Sequence, residues 1–375
     1  MRLLDRYLFR ELLTPLVICL AGMQIFISFF IVFGDADKIQ EAKLHIWETV
    51  EYAGASSMSY ISVVLPVALL LALLWALTEQ ARHNEITAMR AAGISLWRVG
   101  LPYLVVGLAT GAALFALNEF IAPHSMNWAD RLLNRYVHTS DDNTPAKFQD
   151  FASRHRQWHF KSYNVATTEM LEPEVTWKLP DGSSCQFNAA RAINTNGVWT
   201  FFNATEVFFP TNAYAPPVPV ALTNAAVLTM PQFDETPAQI RSEIKIDGYL
   251  NKYQNHGVSR IAEIPLAVIV NYLRLHPDLP PATASELLTQ FYGRLAAPWT
   301  CVAVVLIAIP FGATTGRRNL FFGVAGSIFI CFTFFVLQSV SLAFGSGGEL
   351  PAWLAAWLPN IFFAATGLFL MTRVR

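Results

Sequence analysis

Charge is what this 375-residue chain has least of: Asp, Glu, Lys and Arg make up 14% of it and apolar residues 54%, against about 25% and about 45–50% in soluble domains. That deficit excludes an ordinary soluble protein. A basic excess is missing too, because 26 Lys and Arg stand against 27 Asp and Glu. Nothing is left over to neutralise a phosphate backbone, and no nucleic acid is expected as a partner. Cysteine is scarce. Cys19, Cys301 and Cys331 fall in long apolar runs, where they read as small packing residues. Cys185 stands alone in a polar segment, which therefore has no internal disulfide. The dipeptide Gly-Lys occurs nowhere, which excludes a phosphate-cradling P-loop, and neither HExxH nor CxxC is present. His155 and His159, with Arg154 and Arg156, read as a solvated strand edge rather than a metal site. No cofactor and no catalytic residue is expected.

Long charge-free runs are what the chain does have. A bilayer core about 30 Å thick needs about 20 apolar helical residues. Seven stretches of that length lack Asp, Glu, Lys and Arg: 12–34, 52–78, 99–118, 207–233, 295–316, 319–348 and 350–372. The fourth carries Pro210, Pro216, Pro217, Pro219 and Pro231, which would leave backbone groups unpaired in lipid. Six spans remain, three before a long gap and three after it.

Basic residues beside spans gather on the cytoplasmic side. Arg2, Arg6 and Arg10 precede span one; Arg82, Arg90 and Arg98 separate spans two and three; Arg317 and Arg318 separate spans four and five; Arg373 and Arg375 follow span six. Both termini are therefore expected in the cytoplasm, with Trp75 and Trp97 at the inner interface and Trp47, Trp128, Trp353 and Trp357 at the outer one. The first span reads as a retained signal anchor. Carboxylates, histidines and lysines are absent from the spans apart from their edges, against an intramembrane protease or an ion-coupled carrier. The polar residues Gln24, Asn118, Gln338 and Asn360 read as makers of interhelical hydrogen bonds.

Residues 135–262 differ in composition, with short alternating runs at Gln157–Phe160, Val175–Leu179 and Val198–Phe202 that read as β-strands. Asn196-Gly197 is a two-residue hairpin signal, since both turn positions need positive φ. The expected fold class is an α-helical membrane protein, six transmembrane helices with a periplasmic all-β, jelly-roll-like domain inserted between helices three and four. Its divisions are 1–134, 135–262 and 263–375. The apolar run Ile264–Leu273 is too short to span and reads as an interfacial or domain-packing segment.

Between spans two and three, the composition of residues 76–98 predicts a helix over 79–93, stopped at Gly93. Arg82, Glu85, Met89 and Ala92 then share one face. Such a helix suits the groove of another protein, or serves as a plain connector on the membrane surface. Beyond span three, Arg131 and Arg135 are four apart and present two charges on one helical face, with Arg294 arriving from span four.

The run EITAMRAAGIS, residues 85–95, closely resembles the signature of the LptF/LptG family of lipopolysaccharide-export permeases. The likeness extends over the chain: Leu4-Asp5-Arg6-Tyr7, Pro66, Glu119-Phe120-Ile121-Ala122-Pro123, the β insert, and Ala356-Trp357-Leu358-Pro359-Asn360. The LDRY start and the stretch 197–207 look more like LptG than LptF. The resemblance implies an ABC-transporter permease subunit without ATPase activity of its own, paired with an LptF-like subunit and driven by an LptB-like ATPase dimer. It further implies that lipopolysaccharide is extracted from the inner membrane and passed to an LptC-like periplasmic protein. On this resemblance Arg82, Glu85, Met89 and Arg90 couple to the ATPase, with Glu85 at the family's acidic position. Spans one and five form lateral gates, with Phe26, Phe29, Phe30, Phe332 and Phe335 toward the lipid and Lys38, Arg131, Arg135 and Arg294 toward its phosphates. Where LptG homologues are rich in lysine at the outer end of span one, this chain has only Lys38 amid Asp35 and Asp37. Two other classes compete: a non-transporting membrane scaffold whose β domain binds a partner, and a lipid-modifying enzyme built on Glu119, His124, Arg131 and Arg135.

Overall fold

The computed structural model describes residues 3–134, 146–149, 156–164, 167–179, 181–195, 197–210, 221–254, 264–277, 279–313 and 320–373. It divides into two compact units, one of Met1–His138, Ser259–Pro265 and Ser285–Arg375, the other of Thr139–Val258 and Leu266–Ala284.

The chain begins with α1 (Leu3–Gly34), a short α2 (Ala36–Glu41) and α3 (Ile46–Ser57), which passes through the tight turn Met58–Tyr60 into α4 (Ile61–Arg82). After a two-residue break comes α5 (Glu85–Ala91), and then α6 (Leu96–Ala116), which runs through a π-helical turn, Leu117–Ile121, into α7 (Ala122–Asn134). The helix expected over 79–93 is thus in two pieces. Its residues 79–82 extend span two, and Asn84 in the left-handed region (φ 59°) turns the chain before α5. Asn is among the few non-glycine residues that readily adopt that conformation, so a composition that favours helix throughout does not prevent the break. Arg82 consequently lies on a different helix from Glu85 and Met89.

In the second unit the strands are β1 (Ala146–Gln149), β2 (Arg156–Phe160), β3 (Ser162–Asn164), β4 (Glu169–Leu171), β5 (Glu174–Lys178), β6 (Ser184–Asn188), β7 (Arg191–Thr195), β8 (Val198–Phe209) and β9 (Ala221–Met230). They form one antiparallel sheet in the order β1-β2-β5-β6-β8-β7-β4-β3, with β9 on β8. The pairing Thr195↔Val198 leaves two residues for the β7–β8 turn, and Gly197 there has φ +83°; Asn196 lies outside the described residues. β8 is the organising strand. Residues 198–202 pair with β7, 205–209 pair with β6, and Asn203, at the changeover, has φ 51°. Alternation buries Trp158, Trp199 and Phe201 completely, and Phe233 closes the cluster with its ring against Trp158, Phe187 and Phe201.

The solvated edge expected around Arg156 is not there. β2 lies between β1 and β5, and Arg156 is fully buried, donating to Glu235 at 2.6 Å, to Asp234 at 2.9 Å and to the Gln232 carbonyl at 2.9 Å. A buried guanidinium needs such partners because desolvation is otherwise prohibitive. Arg154 and His155 lie outside the described residues. The unit ends with α8 (Pro237–Gln254) and α9 (Leu266–Leu275); the Gln239 amide donates to the Leu275 carbonyl at 3.0 Å. The apolar run that is too short to span is therefore α9, packed on α8 with Ile269 and Tyr272 buried.

The last three helices are α10 (Pro281–Ala313), α11 (Leu320–Ser346) and α12 (Ala352–Arg373). Among the described residues, six helical segments are long and apolar enough to cross a membrane: Leu3–Gly34, Ile46–Arg82, Leu96–Ser125, Pro281–Gly312, Ile328–Ser346 and Ala352–Arg373. Of the most apolar stretch of each, 72% is buried in the second and fourth spans but only 11% in the first. Spans two and four are the core, and span one lies on the periphery. Close approach is set by small residues: a methyl built on Gly111 of α6 would lie 2.5 Å from the Pro298 carbonyl oxygen of α10, in keeping with the small-residue packing of membrane helices. Polar pairs add to it. Asn360 donates to the Ala296 carbonyl at 2.8 Å and accepts from Thr300 at 3.1 Å, and the Gln24 amide donates to Ser57.

Candidate coupling segment and lipid-facing stripe

Two places in the helical unit bring the sequence-derived residues together. The first is α5, held from several directions although it has only seven residues. Gly93 (φ +82°) ends it: the Gly93 and Ile94 amides donate back to the Arg90 and Met89 carbonyls at 3.0 and 3.1 Å, satisfying groups a helix end leaves open. Ser95 then caps α6 by accepting from the Arg98 amide at 3.3 Å. Ile86 is 3% exposed and Met89 packs against the helical core. Met89 is therefore no free apolar knob; the open positions are Thr87, Ala88, Ala91 and Ala92, small residues that let another surface approach closely. Arg90 is half-buried and Arg82 exposed.

Glu85 has an intrachain partner. The Tyr7 hydroxyl lies 2.9 and 3.0 Å from its two carboxylate oxygens. Close by, Arg98 pairs with Asp5 at 2.8 Å. These contacts join residues 78 and 93 apart in sequence, and spacing gives no sign of them. Beside them a cleft of about 460 Å³ runs along α1 and α4, lined by Tyr7, Arg10, Glu11, Trp75 and Glu79 among others.

The second place is the opposite half of α1. Phe26, Phe29, Phe30 and Phe33 follow the three-and-four spacing of one helical face and are 62–70% exposed. Ile31, on the other face, packs with Tyr52 of α3 and with Ala129 and Leu132 of α7. Arg131 is exposed on α7, next to that cluster in sequence. Lys38 is bound to Asp35 at 2.7 Å, and Asp35 also accepts from Tyr52 at 2.8 Å. On α11 Phe332 is exposed, whereas Phe335 is partly buried against the core.

Arg294 stands apart from the other cations. Its side chain is 4% exposed and donates to Glu119, in the π-helical turn, at 2.7 Å. It is a buried member of an ion pair, not an open cation at the membrane surface. Glu119 is thereby tied to a cation on another helix. Arg135 lies outside the described residues.

Six apolar spans, a nearly closed antiparallel sheet inserted after the third, and a short anchored helix between the second and third define a multi-pass membrane protein with an inserted β domain. A family model described as "Lipopolysaccharide export system permease LptF/LptG" matches residues 6–373, and the chain belongs to that family. No curated protein matches it. Membership makes it a lipopolysaccharide export permease, a transmembrane subunit of the inner membrane that is not itself the ATPase and that belongs with other Lpt proteins.

Proposed function

We propose that this chain is the LptG-like half of an ABC transporter that draws lipopolysaccharide out of the inner membrane. Its partners in this reading are an LptF-like permease subunit, an LptB-like ATPase dimer docked on α5, and an LptC-like periplasmic protein that receives the lipid. Both termini and α5 face the cytoplasm, and the β domain faces the periplasm. What supports the orientation is the set of ten arginines at the ends of the spans and in the loops on the α5 side. The LDRY start and residues 197–207 favour LptG over LptF.

The observation that carries the docking role is the anchoring of α5. A seven-residue helix is too short to be stable alone, yet here it is fixed by Ile86, Met89, the Gly93 stop and Tyr7, and it leaves a flat face of small side chains open. A surface connector needs no such fixing. Glu85 and Arg90 lie on the same short helix, and Arg82 ends the helix before it. A carboxylate has about four acceptor positions, so Glu85 keeps capacity for a cation of the ATPase beside its bond from Tyr7. On the far side, the stripe Phe26, Phe29 and Phe30, with Phe332 of α11, meets acyl chains, and Arg131 with Arg135 and Lys38 meets phosphates. Arg294, buried in its pair with Glu119, is left out of that phosphate site.

The test is co-purification from detergent. Wild-type chain should bring down the ATPase and a second six-span subunit in fixed ratio. Glu85→Arg should lose the ATPase, since breaking a buried charged contact costs about 2–5 kcal/mol. Full ATPase retention in that variant would remove the docking role.

A further inference from the structure

Span one is held differently at its two ends. Its first turns are pinned, with Leu8 and Leu12 fully buried and Leu16 at 6% exposure. There Tyr7 reaches Glu85, the first residue of α5, and Asp5 reaches Arg98, in the first turn of α6. The two contacts flank α5, one at its start and one just past its end. Pro15 follows; it cannot donate to the Glu11 carbonyl and so marks a soft point in the helix. Beyond it span one is largely open, ending in the exposed phenylalanine stripe. By contrast α5 joins α4 through the break at His83 and Asn84, with Asn84 in the left-handed region. The covalent route from α5 to span two is bent, while side-chain contacts tie span one directly to Glu85 at the start of α5 and to Arg98 in the first turn of α6.

We propose that Tyr7 and Asp5 are positioning residues that clamp the first turns of span one to α5 and the start of α6 as a single body. A force applied to α5 then moves span one directly, and with it the lipid-facing stripe at the far end. The inference rests on the reading of α5 as the ATPase-docking segment and adds to it the route by which docking reaches the lipid path. The Asp5–Arg98 pair is only partly exposed, 17% and 30%, and so escapes much of the screening that weakens a surface pair.

Three measurements on the assembled complex in lipid vesicles test this. Tyr7→Phe should keep ATPase association and ATP hydrolysis while lipid released per ATP falls about tenfold, the scale of a lost hydrogen bond to a charged group. Asp5→Arg should lose coupling likewise, and the exchange Asp5→Arg with Arg98→Asp should recover it. Spin labels at exposed Leu13 and at exposed Trp97 in the first turn of α6, with the four native cysteines changed to Ala, should keep a constant separation between nucleotide-free and ATP-trapped states. Unchanged release per ATP in Tyr7→Phe, an exchange that does not recover coupling, or a label separation that changes with nucleotide each overturns the clamp. The label measurement decides where a variant fails to fold. If Glu85→Arg keeps its ATPase while the labels stay fixed, the docking reading falls and the clamp stands.

Discussion

Arg294 of α10 donates to Glu119 of the π-helical turn at 2.7 Å, across 175 residues of sequence. The pair welds the third span to the fourth, and so the first triplet of helices to the second. Both side chains are largely buried, at 4% and 15% exposure. Neither charge is stable there alone, because a desolvated ion without its partner bears the full cost of leaving water.

Arg294→Ala should therefore destabilise the helical unit by about 3–5 kcal/mol, the usual consequence of stranding a buried charge. Arg294→Met with Glu119→Gln should lose much less, since no charge is stranded. Thermal unfolding in detergent checks both, and an Arg294→Ala variant as stable as wild type would contradict the assignment.

The spans and the β7–β8 hairpin are legible in the sequence because each depends on a local pattern: twenty or more residues without charge, or two turn residues between alternating runs. The break at Asn84 is not legible, because Ala, Glu, Gln and Arg on either side favour helix and only tertiary contacts make the turn worthwhile. Arg156 looks solvent-facing beside His155 until Asp234 and Glu235, 78 and 79 residues later, fold over it. The same holds for the candidate sites. Phe26, Phe29 and Phe30 could be placed on one face by counting, but the direction of that face could not; the Tyr7 partner of Glu85 and the Glu119 partner of Arg294 came only from the fold.

Gly111 sits where α6 meets the backbone of α10, and Gly22 on α1 has nothing within 4 Å of a built methyl. Gly111→Val should force the helices apart and cost about 1–3 kcal/mol or more, as overpacking does. Gly22→Ala should be neutral or stabilising, by up to about 1 kcal/mol from helix propensity. The two variants, compared by the fraction surviving heating in detergent, should differ in that order.

Cys185 is 8% exposed, and burial, followed by the negative charges of Glu206 and Asp181, pushes its thiol above the ordinary cysteine range. The thiolate is the reactive form, so near neutral pH less of it is present than in a free thiol. With Cys19, Cys301 and Cys331 changed to Ala, a water-soluble maleimide should label Cys185 slowly in the native fold and rapidly after unfolding. The native rate should still be rising with pH where a free thiol has levelled off. Fast native labelling near neutral pH would show that strand β6 is not packed as described.

In the function proposed above, the exposed face of span one meets lipopolysaccharide and releases it when ATP is used. Photo-crosslinking residues placed singly at Phe26, at Phe30 and at buried Ile31, in the complex reconstituted with lipopolysaccharide, test it most directly. Adducts should form at Phe26 and Phe30 but not at Ile31, and should decline when ATP is supplied to an active ATPase. Equal capture at all three positions, no capture in an active complex, or capture indifferent to ATP would contradict it.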